Sequence, residues 1–424
     1  MTPFSHRLAL SVVTIVLILA PSSRADEIVL GEADSISADQ PLVTVQMEYP
    51  VNSGVAFATP IDKMFLDTGA SGILFAKGAY DAIAPLTFQT ETRSDGSPVL
   101  YEETGVAGTE LLEVFQQHDF YFAGSDGTAY ELPAVRPFGS AIVDLGDING
   151  IVGMPAMVNR VTHMDLRPQL DETRDTWPFI ETSFQSAPSP ATSPRFHVAL
   201  QMVAPGFPGV DPDHPDDPKP TFAQNPFITG IRHTFVDHNN QSHTEEATAL
   251  LDTGSQLTII SHPLATRLNF NLDRNDPNCD IVDLDQDGTI TIDDYEPIGG
   301  LGGEISIPLV HLNKLSIPTT EGTYISLTTV EVGVFVDFDG NPIDVAGIDA
   351  VLGMNILDSG YLATIFGEGT GGFINEVSFD FRDLDNSQML LDLNPNFIPE
   401  PGALAMLIFT ATLLRRPRRA TVAA

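Results

Sequence analysis

Two segments of this 424-residue chain repeat one pattern, and that repetition limits the folds open to it. Residues 64–75 read Met-Phe-Leu-Asp-Thr-Gly-Ala-Ser-Gly-Ile-Leu-Phe. Residues 249–260 read Ala-Leu-Leu-Asp-Thr-Gly-Ser-Gln-Leu-Thr-Ile-Ile. Each is an apolar strand, a tight polar turn and a second apolar strand. Further on, Asn149-Gly150-Ile151-Val152-Gly153-Met154 matches Asp349-Ala350-Val351-Leu352-Gly353-Met354. The stretch from Asp252 to Gly353 is longer than the stretch from Asp67 to Gly153, so the second copy carries an insertion. Short repeats of 20–50 residues build solenoids. The far wider offset between the two Asp-Thr-Gly turns points instead to two similar lobes.

The 34 glycines and 32 prolines, with few long amphipathic helical stretches, predict a mainly β protein. Only short segments such as Pro263 to Leu268 read as helix. From Ser186 to Pro226 the chain carries ten prolines and reads as a linker or surface loop. Within it, Arg195 to Val203 alternates like one strand, the candidate first strand of the second lobe. The expected division is 1–25 export signal, 26–187 first lobe, 188–226 interlobe segment, 227–396 second lobe with an insertion at 276–296, and 397–424 sorting segment. The first strand of the body is expected at Leu42.

The paired motif resembles the pepsin and retropepsin type of aspartic peptidase, over residues 40–395. That resemblance implies a bilobal β fold with the active site between the lobes. Asp67 and Asp252 would form one carboxylate pair sharing a proton, since two facing carboxylates do not both ionise easily. One would act as base toward a water, and the other would protonate the substrate carbonyl. Gly69 and Gly254 allow the tight turn. Thr68 and Thr253 would lock the two turns together. Gly153 and Gly353 would pack behind them, where any side chain would collide with the loop. Ser255 is expected to stabilise an ionised Asp252, while Ala70, the retropepsin habit, gives Asp67 no such help. This hints at a working pH above the strongly acidic range. The Gly-rich stretches Thr104–Gly108 and Gly299–Gly303 are candidate flaps or ordinary hairpin tips, and Tyr101 is a candidate flap tyrosine. No cofactor is expected for the chemistry.

Asp283-Leu284-Asp285-Gln286-Asp287-Gly288-Thr289-Ile290-Thr291-Ile292-Asp293-Asp294 fits an EF-hand loop. The candidate Ca²⁺ ligands are Asp283, Asp285, Asp287, Thr289, Thr291 and Asp294. Asp294 replaces the usual Glu and resembles dockerin loops. With no second loop, it reads as a structural clip; the alternative is an acidic solvated turn.

Both ends read as addresses. Leu8 to Ala20 is an apolar run before Ser23-Arg24-Ala25, a small–x–small cleavage site. That run is short for a bilayer span, which takes about 20 residues. Pro399-Glu400-Pro401, an apolar stretch and Arg415-Arg416-Pro417-Arg418-Arg419 resemble the PEP-CTERM sorting signal. A plain C-terminal anchor is the alternative. The resemblance implies an exported envelope, surface or matrix protein of a Gram-negative bacterium, processed by an exosortase-type enzyme and held at the membrane only transiently. Lys+Arg total 20 against 57 Asp+Glu, for a net charge of −37. Such a surface repels phosphate backbones, so nucleic acid is not an expected partner. The single cysteine, Cys279, excludes an internal disulfide. Two functions stay open: an exported endopeptidase acting on a peptide or protein substrate, or a catalytically silent surface protein, binding or structural, on the same fold.

Overall fold

Alternation of apolar and polar side chains builds most of the strands. Along Asn225–Val236, residues 228, 231, 233 and 235 are buried while their neighbours face outward. A bulge between Ile228 and Ile231 uses the positive φ of Gly230, a conformation that suits glycine. The computed structural model describes residues 27–398 except 38, 49–60, 84–89, 106–107, 125–126, 128, 141, 168–179, 206–213, 301–302, 344–346 and 363–370. The export signal and the sorting segment lie outside the described residues. No helix among the described residues is long and apolar enough to cross a membrane.

The protein is mainly β and bilobal, the architecture that the resemblance implied. The first lobe is a nine-stranded sheet, and its centre is the duplicated unit. Gly150–Val152 lies between Ile61–Leu66, to which it runs parallel, and Ile73–Phe75, to which it runs antiparallel. The second lobe repeats this. Ala350–Leu352 lies parallel to Ser242–Leu251 and antiparallel to Ile259–Ser261. In both lobes a late strand is therefore inserted between the two strands flanking an Asp-Thr-Gly turn. Met64, Leu66, Ile73, Phe75 and Val152 in one lobe, with Leu251, Ile260 and Leu352 in the other, bury these strands.

A third sheet of five strands joins Glu181–Gln185, Val161–Asp165, Ile374–Asp380, Gln388–Leu393 and Arg195–Ala199 in that order. It redraws the contiguous lobes expected from the sequence, because strands from both ends of the body pair in it. The body also begins before Leu42. Glu27–Glu32 forms a strand parallel to Tyr324–Phe335 in the second-lobe sheet. The alternating stretch from Arg195 to Val203 breaks at Leu200: Arg195–Ala199 joins the third sheet, and Gln201–Val203 pairs with the second lobe. The short helix is His262–Arg267, with the Ser261 hydroxyl accepting the Leu264 N–H at 3.2 Å.

Candidate active site

Asp67 and Asp252 stand one residue past the ends of Ile61–Leu66 and Ser242–Leu251, and the lobes bring them face to face. A Cβ added to Gly69 would lie 2.6 Å from the Asp252 carboxyl carbon, and one added to Gly254 would lie 2.6 Å from that of Asp67. Glycine is therefore required for this close approach across the interface. The threonines lock the approach reciprocally. Thr68 Oγ1 donates to the Leu251 carbonyl at 2.7 Å and accepts the Thr253 N–H at 3.1 Å. Thr253 Oγ1 donates to the Leu66 carbonyl at 2.6 Å and accepts the Thr68 N–H at 3.1 Å. Both side chains are fully buried. Four satisfied hydrogen bonds without access to water make this lock rigid.

Backbone donors then orient the carboxylates. Gly69 and Ala70 N–H donate to Asp67 Oδ1 at 2.7 and 3.1 Å. Gly254 N–H donates to Asp252 Oδ1 at 2.9 Å. Each carboxyl keeps some contact with solvent, but protein atoms crowd its other sides. That desolvation pushes the Asp67 pKa above the ordinary value, against hydrogen bonds from Asp252 and the backbone that pull it down. Asp252 rises further, through burial, the neighbouring Asp67 charge and its hydrogen bond to Asp67. Two facing carboxyls do not both ionise easily, so the titration belongs to the pair rather than to either member.

The structure corrects the expectation for Ser255. Its hydroxyl donates to the Leu257 carbonyl at 2.7 Å, closing the loop behind the turn rather than supporting Asp252. The better-supported anion is Asp67, beside Ala70, because backbone N–H groups supply what a hydroxyl would. Gly153 and Gly353 sit where expected in the geometry: a Cβ on Gly153 would strike the Ala70 and Gly72 carbonyls, and one on Gly353 those of Leu257 and Ser255.

Both Gly-rich stretches end antiparallel hairpins. Leu100–Gly105 pairs with Gly108–Val114, and Tyr295–Gly300 with Gly303–Pro318. Their tips, residues 106–107 and 301–302, lie outside the described residues. Tyr101 is buried at the hairpin root against Phe138 and Phe222, with ring centroids at 5.7 and 5.1 Å.

Two site residues escaped the sequence reading. The Asn225 side-chain amide donates to the carbonyls of Thr68 and Gly69 at 3.1 and 2.8 Å. The Gln40 amide donates to the Gly254 carbonyl. Gln40 and Asn225 are as far apart in the chain as Asp67 and Asp252, and a proline follows each. That pattern was the available signal.

In the acidic loop, carboxylate oxygens of Asp283, Asp285 and Asp287 come within 4.8 Å of one another. The Gly288 N–H donates to Asp283 Oδ2 at 2.8 Å, and Gly288 has the positive φ that the sharp turn needs. Asp294 is turned elsewhere. Its carboxylate accepts the N–H groups of Leu284 and Thr291 at 2.8 and 2.7 Å, and it is buried as a cap with Thr291. The Thr289 N–H donates to Asp287 at 2.7 Å.

No family model matches the chain, and no curated protein matches it. Among solved structures it is similar to the crystal structure of aspartic proteinase from Irpex lacteus. The identity is 11%, over 84% of this chain and 94% of that one, with a TM-score of 0.42. It is also similar to Basic 7S globulin from soybean, at 10% identity over 83% and 95% of the two chains, with a TM-score of 0.39.

Proposed function

We propose that this protein is an aspartic endopeptidase, with Asp67 and Asp252 as its catalytic carboxyls. The observation carrying this reading is the facing carboxyl pair delivered by two turns that hydrogen-bond each other across the lobe interface. Asp67, the better-supported anion, takes a proton from the attacking water. Asp252 gives its proton to the carbonyl oxygen of the scissile peptide. Water adds to the carbonyl carbon; the tetrahedral diol then collapses as Asp67 passes its proton to the leaving amine and a diol hydroxyl returns one to Asp252, so the pair is restored and no covalent enzyme intermediate forms. A mixed peptide library tests this. Cleavage that a pepstatin-type inhibitor suppresses is the expected result. A wild-type protein that cleaves nothing from acidic to neutral pH would leave the silent surface protein as the better reading.

A structural Ca²⁺ belongs to the same proposal. The residues fit a cation: Asp283 Oδ1 is buried without a hydrogen-bond partner, aimed at no donor of the protein. The Asp287 N–H pulls the Asp285 pKa down, but burial and the carboxylates of Asp287, Asp294 and Asp283 outweigh it and leave it raised. Asp283, Asp285 and Asp287 would hold the ion, which would supply charge neutralisation rather than chemistry. Binding to the folded form alone adds about 2.7 kcal/mol at a hundredfold excess over Kd. Chelation should therefore lower the melting temperature by roughly 3–4 °C. The paired change Asp283→Ala with Asp287→Ala should remove that difference. A melting curve indifferent to Ca²⁺ would make the loop an acidic turn.

Export and envelope sorting complete the reading and rest on the sequence of the two ends. An envelope protein whose mass lacks Arg415 to Arg419 is the expected mature form; one retaining Ala424 would contradict it.

A further inference from the structure

Each half of the chain begins with a segment that crosses to the other half's turn. Before the first lobe, the Ser37 N–H donates to the Gln256 carbonyl at 2.9 Å, and the Gln40 amide reaches Gly254. Before the second lobe, the Ala223 N–H donates to the Ser71 carbonyl at 2.9 Å, and the Asn225 amide reaches Thr68 and Gly69. Gln40-Pro41 precedes Asp67 by the same chain distance as Asn225-Pro226 precedes Asp252. Proline confines the preceding residue to extended backbone, which fixes where its side chain leaves the chain. The Asp39 carboxylate, fully buried, accepts the Gln40 and Ile180 N–H groups at 2.8 and 2.9 Å and pins the first segment. Asn225 is itself 7% exposed, so its amide has little water to compete with.

The carbonyls that are gripped decide the consequence. A peptide unit is a rigid plane with its C=O and N–H on opposite sides. The Thr68 carbonyl shares a plane with the Gly69 N–H, and the Gly69 carbonyl with the Ala70 N–H. Those two N–H groups are the ones that donate to Asp67. The Gly254 carbonyl shares a plane with the Ser255 N–H, which closes the turn on the Asp252 main-chain carbonyl at 3.3 Å, and the N–H of Gly254 itself donates to Asp252 Oδ1 at 2.9 Å. Holding the carbonyls back aims the N–H groups forward.

Building on the proposed carboxylate pair, we infer that Gln40 and Asn225 are positioning residues, each supplied by one half of the duplication to set the carboxylate of the other. Asn225 holds both planes that serve Asp67, whereas Gln40 holds only the plane that follows the Gly254 N–H donor to Asp252. The asymmetry makes Asp67 the group more dependent on its clamp. Neither amide touches the reacting atoms.

The test uses shape-matched side chains without donors in the full chain: Asn225→Leu and Gln40→Met. Small misplacement of a catalytic group costs up to about a hundredfold, so Asn225→Leu should lower kcat about tenfold or more with KM within about twofold. Weaker bonding to the Asp67 anion raises its pKa, so the acid limb of the pH profile should move up. Gln40→Met should cost less and move the alkaline limb. A purely structural role would lower the melting temperature and leave both limbs in place. Carbon-13 titration of the two carboxyls reads the same shift without turnover. If the wild type cleaved no peptide, the proposed function would fail while this titration still decided the inference. Carboxyls that titrate as in the wild type in both variants would overturn it, as would unchanged kcat and pH limbs in an active enzyme. Should Asn225→Leu not fold, Gln40→Met alone decides by the position of the alkaline limb.

Discussion

Asp67→Asn and Asp252→Asn should each abolish the proposed peptide hydrolysis while the protein stays folded. Asparagine matches aspartate in shape, and the lock that joins the turns runs through Thr68 and Thr253, not through the carboxyls. The chemistry needs one ionised and one protonated group, so either change removes the whole function rather than half of it. The loss should exceed about a thousandfold for each variant, and the double variant should lose little more. Activity against pH should be bell-shaped, opening as the pair loses its first proton and closing as it loses the second. Burial raises both carboxyls, so that window should lie above the range of an ordinary isolated pair. Turnover on the peptide library, with melting curves beside it, checks the result. Near-normal turnover in either single variant would refute a shared site. EDTA should affect stability without inhibiting the chemistry directly.

Acid should weaken the fold through two histidines outside the site. His118 and His233 are 0% and 1% exposed, and burial pushes both down to about 4. In the unfolded chain each takes its proton near 6.5, so between 6.5 and about 4 the unfolded state binds protons that the native state refuses. The stability they contribute is fully present above about pH 6.5, is lost as the pH falls toward 4 and falls no further below that. Each shift corresponds to about 3 kcal/mol. The raised carboxyls of the site work in the opposite direction, so the histidine share is read as a difference. The urea midpoint should fall between about pH 7 and pH 4 more steeply in the wild type than in a His118→Gln, His233→Gln double variant. Equal slopes would show that these imidazoles titrate normally.

The turns were legible in the sequence because their chemistry is local. Asp-Thr-Gly on an apolar strand can be read from a short window, and so can the Gly-Met partner that no side chain could replace. The third sheet was not legible. Val161–Asp165 reads as first-lobe strand until it is seen beside Ile374–Asp380, from the other end of the body. The Glu27–Glu32 strand was hidden for the same reason, since its partner is Tyr324–Phe335. Ser255 misled because a sequence shows which hydroxyl is near a carboxyl but not which way it rotates. Gln40 and Asn225 were readable only by extending the offset of the duplication backward from the turns. Amide side chains are so common in loops that only their repetition marks them.

The crossing of the two leading segments bears on the order in which the chain is made. Protein synthesis delivers the first lobe before the second, and lobes tend to fold as they emerge. When residue 187 has been made, the Asp67 turn has neither Thr253 nor Asn225, and its two loop carbonyls face no amide. The Asp252 turn, born last, finds Ser37 and Gln40 already waiting. A nascent chain therefore holds no half-built carboxyl pair: the two turns are braced together in one step, after the final lobe closes on a segment from near the start of the body.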